Sequence, residues 1–188
     1  MRPSLAMNFL LILLGIAIGL IASEYFEGPI PQKLIANAKT VDFCLASAII
    51  SPGAGDEMVA IMDNAKSSIH IILFEFSYPD LKEALVHAAQ RGVDVKLILD
   101  PKVSQNLDTA KFLKAKGIDV KWSSSKFNYN HAKTAILDGR KVLTGSINWS
   151  RNAMTRNREI GVLVEDLAVA SELEGVFWQD WNDASEVK

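Results

Sequence analysis

Between Ser68 and Leu99 the chain passes from a β-branched apolar run into an amphipathic stretch and back again. That succession restricts the fold to one in which strands and helices alternate. The first run, Ser68 to Phe76, reads as a strand. Pro79 then opens a helix in which Leu81, Leu85, Ala88 and Ala89 share a face, and Gly92 stands where its C-terminal cap is expected. Val93 to Leu99 is the next strand. The unit recurs in shorter form, with a helix from about Leu107 to Lys116, a stop at Gly117 and a strand from Ile118 to Trp122. Upstream, Val41 to Ile50 reads as a strand that Ser51-Pro52-Gly53-Ala54-Gly55 breaks before a helix from about Asp56 to Lys66. Downstream, the strands Ala132 to Leu137 and Lys141 to Thr144 are joined by Asp138-Gly139-Arg140, a connection short enough for a hairpin. Ile160 to Val164 is the last strand, and Leu167 to Trp181 a closing helix with Leu173, Val176, Phe177 and Trp181 as its apolar stripe. The predicted architecture is α/β: a mixed β-sheet flanked by helices on both faces, in one domain over residues 29–188.

Ahead of that domain, Leu5 to Ala22 is apolar except for Asn8, with Arg2 before it and Glu24 and Glu27 after it. Residues 1–28 therefore read as an N-terminal hydrophobic helix, a membrane anchor or signal segment, running into a linker with Gly28, Pro29 and Pro31. The flanking charges put the N-terminus inside and the domain on the extracytoplasmic side. No small-x-small cleavage site follows, since Leu20 and Ile21 stand at the third place back from the two natural cuts, which favours an uncleaved anchor through residues 5–22 over an exported form. The one cysteine, Cys44, lies in an apolar run and reads as a small buried residue.

Bulk composition names no partner. A net charge of −2 and a hydrophobic fraction of 49% exclude a disordered chain and a wholly basic one. The distribution of charge says more. From Lys121 to Arg158 there are eight Lys or Arg and one acid, Asp138, whereas Glu159 to Lys188 holds eight acids and one Lys. The basic block encloses His131, one of three histidines. Alternation along a strand puts His131, Lys133 and Ala135 on one face. An imidazole beside an ammonium contributes little to a core, but it suits phosphate chemistry: the ring is a nucleophile or base, and the lysine neutralises charge developing on phosphate oxygens. Ser146 and Asn148, after Gly145, supply short neutral donors, and Glu159 is placed to hold an imidazole N–H. His70 and His87 lack a lysine two places on and read as a strand residue and a helix-surface residue.

Taken together, His131-x-Lys133-x-x-x-x-Asp138-Gly139, Gly145-Ser146-x-Asn148 and Asn157-x-Glu159 resemble the signature of the phospholipase D superfamily in residue type, order and spacing. The stretch AKSSIHIILFEFSYPDLKEALVHAAQRGVDVKLILD, residues 65–100, is similar to that family's leading strand, helix and strand. The resemblance implies a phosphodiesterase that works through a covalent phosphohistidine. His131 would attack phosphorus, Lys133, Ser146 and Asn148 would bind the phosphate, and Glu159 would orient the histidine. Asp138 and Gly139 would be structural, and neither metal nor cofactor would be needed. The reaction takes two histidines and this chain carries the motif once, so the expected catalytic unit is a homodimer.

Three substrate readings follow. Nucleic acid, cleaved by an endonuclease like the compact single-motif members of that family, suits the basic block and the aromatics Trp122, Phe127, Tyr129 and Trp149. Phospholipid, such as phosphatidylcholine or cardiolipin, suits a membrane anchor. A membrane-tethered binding module without turnover is the third, and it fits poorly with a motif in which every reactive residue is present.

Overall fold

The structure is a computed structural model that describes residues 45–187. The hydrophobic segment 5–22, the linker and Cys44 lie outside the described residues. Among the described residues no helix is long and apolar enough to cross a membrane.

The elements alternate as expected. Strand β1 (Leu45–Ser51) leads to α1 (Ala54–Asn64), β2 (Ser68–Leu73), α2 (Pro79–Gln90), β3 (Asp94–Leu99), α3 (Gln105–Ala115) and β4 (Asp119–Trp122). Then follow β5 (Lys133–Leu137), β6 (Lys141–Gly145), α4 (Arg151–Thr155), β7 (Glu159–Glu165), α5 (Leu167–Asp183) and β8 (Ser185–Glu186). All eight strands form one sheet in the order β1-β7-β6-β5-β2-β3-β4-β8. β2, β3 and β4 run parallel because helices return the chain between them, while β5, β6, β7 and β1 are antiparallel neighbours joined across short turns or by register. The sheet is thus mixed, with β2 and β5 meeting antiparallel at the junction of the two halves.

Strand alternation divides the core in two. Ile69, Ile71, Leu73, Leu97, Leu99, Ala135 and Leu143 face one side and pack against Met58 and Met62 of α1, Leu81 and Leu85 of α2, Leu113 of α3 and Met154 of α4. Ile72, Ile98, Ile136 and Val142 face the other, where, among the described residues, α5 covers them with Ala170 and Phe177. His70, also on that face, fixes α5: its Nδ1 lies 2.8 Å from Glu174, its ring stacks on Phe177 at 4.7 Å, and Nε2 lies 3.5 Å from Asp94. His87 is exposed on α2. Val176, placed in the apolar stripe of α5 by periodicity, is exposed; the helix turns Ala170, Leu173, Phe177 and Trp181 to the sheet instead. No described element covers the face of β1 and β7 beside it, where Ile50 is 51% and Ile160 58% accessible.

Two local expectations are corrected, and two short elements are added. The run from Ser68 leaves the sheet at Leu73, not Phe76: Asn106 of α3 bonds the Phe76 N–H and the Phe74 carbonyl and draws the chain toward Pro79. The strand after the basic loop begins at Lys133, so His131 stands just ahead of it rather than within it. The short elements α4 and β8 have too few residues to show a period in sequence.

Candidate active site

The site lies at the edge of the sheet where β2 and β3 end, β5 begins, β6 ends and β7 begins, the edge at which open α/β sheets place their ligands. His131 is delivered by a loop anchored on both sides. Asn130 N–H donates to Asp100 Oδ2 at 2.7 Å, and Phe74 N–H donates to the Ala132 carbonyl at 2.8 Å. Asp100 is 1% exposed and also accepts from Lys102 N–H at 2.8 Å, so a buried carboxylate at the end of β3 sets the path of the loop. The imidazole itself is exposed and lies 4.4 Å, centroid to centroid, from the Phe74 ring.

Lys133 does share a side with His131, as the spacing predicts. Its Nζ donates to the His131 carbonyl at 2.7 Å, lies 3.2 Å from Nδ1, and sits 5.1 Å from the centre of the Phe74 ring. At 8% exposure, burial pushes its pKa below the ordinary lysine value, while the carboxylates of Glu159 and Glu75 act the other way. A partly dehydrated ammonium beside an open imidazole is a concentrated positive charge waiting for an anion.

The second wall comes from the β6–β7 junction. Gly145 pairs with Gly161, and a Cβ on Gly145 would lie 2.4 Å from the Ile160 carbonyl oxygen, so only glycine lets the strands close here. Ser146 N–H donates to that carbonyl at 2.9 Å, and Ile160 N–H donates back to Ser146 Oγ at 3.1 Å. The Ser146 hydroxyl donates to Glu159 Oε2, and Asn157 Nδ2 donates to Glu159 Oε1 at 3.2 Å. Within one chain, then, Glu159 is held by Ser146 and Asn157 and not by His131, which departs from the expected carboxylate–imidazole pair. The Ser146 O–H is likewise directed at Glu159 and not at an open phosphate position. Asn148 is partly buried, and its Oδ1 has no partner among the described residues.

Asp138 and Gly139 lie at the far end of β5 from His131 and form the turn, with φ of 55° and 61°. The Asp138 carboxylate accepts from the N–H groups of Lys66, Ser67 and Ser68 and from Ser67 Oγ, clamping the hairpin to the start of β2. Trp149, a candidate for stacking, is 1% exposed and packs edge-on against Phe76 at 5.1 Å as part of the core. Of the four aromatics near the motif, Phe127 and Tyr129 are exposed and Trp122 is half-buried. Three contributors carried no recognisable signal in the sequence: Asp100, Phe74 and Glu75. A strand-terminal Asp and a strand-terminal Phe look like ordinary boundary residues until the loop is seen to close on them.

This fold and this site belong to a known class. The chain is a member of the phospholipase D superfamily: residues 58–181 match the family described as cardiolipin synthase, PLD-like domain. Among solved structures, it is similar to a phospholipase D family member, Nuc from Salmonella typhimurium, with 29% identity and a TM-score of 0.73 over 77% of this chain and 98% of that one. A phospholipase D from Rickettsia conorii is 31% identical over 183 residues, 90% of this chain and 89% of the relative. A mitochondrial cardiolipin hydrolase from Xenopus tropicalis is 31% identical over 136 residues, 70% of this chain and 64% of the relative. The chain thus spans somewhat under two thirds of that hydrolase.

Proposed function

We propose that the protein is a metal-independent phosphodiester hydrolase whose working unit is a homodimer and whose substrate is a nucleic-acid strand. The observation that carries the chemistry is the exposed His131 imidazole fixed between an anchored loop and a buried, charged Lys133. His131 of one copy attacks phosphorus, and a P–N bond forms as the bond to the leaving oxygen breaks. His131 of the other copy protonates that oxygen, then takes a proton from the water that cleaves the P–N bond. Lys133 and the Asn148 amide hold the non-bridging oxygens. Ser146 and Asn157 position Glu159, whose carboxylate is presented toward the imidazole that the second copy brings.

The dimer reading is supported by the apolar face of β1 and β7, where Ile50 pairs with Ile160, the residue next to Glu159 in β7 and exposed on the opposite side of the sheet from it. The nucleic-acid reading is supported by the exposed Phe127 and Tyr129 and by Lys102, whose Nζ lies 4.9 Å from the centre of the Tyr129 ring. A second reading, hydrolysis of phospholipid such as cardiolipin or phosphatidylcholine, is favoured by the names of the Rickettsia and Xenopus relatives. The deciding assay uses the full chain in EDTA on single-stranded DNA, duplex DNA, RNA, phosphatidylcholine and cardiolipin, with His131→Ala as control. Cleavage of nucleic acid that persists in EDTA and vanishes in the variant is the expected result. Hydrolysis of lipid alone would reverse the substrate choice and keep the chemistry.

A further inference from the structure

Beside the site, on the same edge of the sheet, the loops after β3 and β4 enclose a cleft of about 300 Å³. Trp122, Phe127, Lys102, Asp183 and the serines 123–125 line it. It is joined to the imidazole by three short steps: 4.4 Å from His131 to Phe74, 5.9 Å from Phe74 to Tyr129, and 4.9 Å from Tyr129 to the Lys102 ammonium at its mouth. Asp100 both lines the cleft and bonds the loop that carries His131.

We infer that this cleft is a nucleobase subsite, holding the ring of a nucleotide a few positions along the strand from the phosphate at His131. The inference rests on the nuclease reading. A single phosphodiester at His131 gives no reason for contacts on the far side of Tyr129, whereas a polymer that repeats roughly every 3.4 Å when stacked reaches them within a few units. Phe127, 46% exposed, and Trp122 present ring faces on which any base can stack. The lining hydroxyls both donate and accept, and Asp183, whose Oδ2 already accepts from Lys126 Nζ at 2.7 Å, has Oδ1 to offer base amino groups. Lys102 donates to the Asn128 carbonyl and faces a ring, neither of which neutralises it, so its charge is available to a backbone phosphate.

The test compares kcat/KM on a single-stranded hexanucleotide with kcat/KM on bis(p-nitrophenyl) phosphate, a diester too short to reach the cleft. Phe127→Ala is expected to lower the ratio of the two by about 5- to 150-fold, the range spanned by loss of one base–aromatic stack. Phe127→Trp, which keeps a stacking surface, is expected to hold the ratio, and matched thermal unfolding verifies that both variants fold. An unchanged ratio in Phe127→Ala, from an enzyme that cleaves the hexanucleotide, overturns the subsite and leaves the nuclease reading standing. A wild-type enzyme that hydrolyses the small diester and cardiolipin vesicles but no oligonucleotide overturns that reading, and the subsite with it.

Discussion

The Asp138 carboxylate accepts from three consecutive backbone N–H groups and one hydroxyl, so its weight falls on the fold and not on the reaction. Burial alone would raise its pKa; the bonds from Ser67, Ser68 and Lys66 outweigh burial and hold it below the ordinary aspartate value. A carboxyl depressed in the folded state stabilises the protein in full above its unfolded pKa, about 3.9, and that contribution fades as the pH falls through the lower folded value. Asp138→Ala is therefore expected to cost about 2 kcal/mol near neutral pH and to flatten the acid limb of a stability–pH curve measured by urea unfolding. A variant as stable as the wild type at pH 7 would contradict that account. His131 and Lys133 were legible in the sequence because a period-2 spacing puts both on one side of an extended chain. The bond from Ser146 to Glu159 was not, since it depends on a register between two strands that spacing does not report.

At the level of elements, the β6–β7 junction is the narrowest fit beside the site. Gly145→Ala places a methyl group against the Ile160 carbonyl and the Gly161 Cα, and the strands must part to admit it. The expected outcome is a loss of about 1–3 kcal/mol in thermal or urea unfolding together with a fall in kcat, because Ser146 and Glu159 flank the displaced backbone. A variant with normal kcat would show that this junction does not position the site. Most of the strands and helices were readable from period and punctuation: Pro79 opens α2, and Gly92 and Gly117 follow α2 and α3 with φ of 88° and 82°. The boundaries that failed were those decided by distant partners. Asn106 ends β2 from thirty residues away, and His131 leaves its strand because Asp100 holds Asn130.

At the largest scale, the consequential asymmetry is that, among the described residues, four helices cover one face of the sheet and only α5 the other. An eight-stranded sheet is too wide for one helix, and Ile50 and Ile160, at the end of β1 and the start of β7 where the site lies, are exposed among the described residues. Ile160→Asp, on an exposed position that the fold tolerates, is expected to yield a folded monomer by analytical ultracentrifugation with activity reduced at least tenfold. A fully active monomer would sink the shared-site reading. The pairing of β1 with β7 bears also on how the chain is made. Ser51 meets Glu159, a partner synthesised 108 residues later, and the strands between them must emerge first. At about 5–20 residues per second, β1 waits for roughly 5–20 s on the ribosome with its edge unpaired. β1 is thus seated only after β7 has been made, and until then its apolar Ile49 and Ile50 lack the strand they pair with.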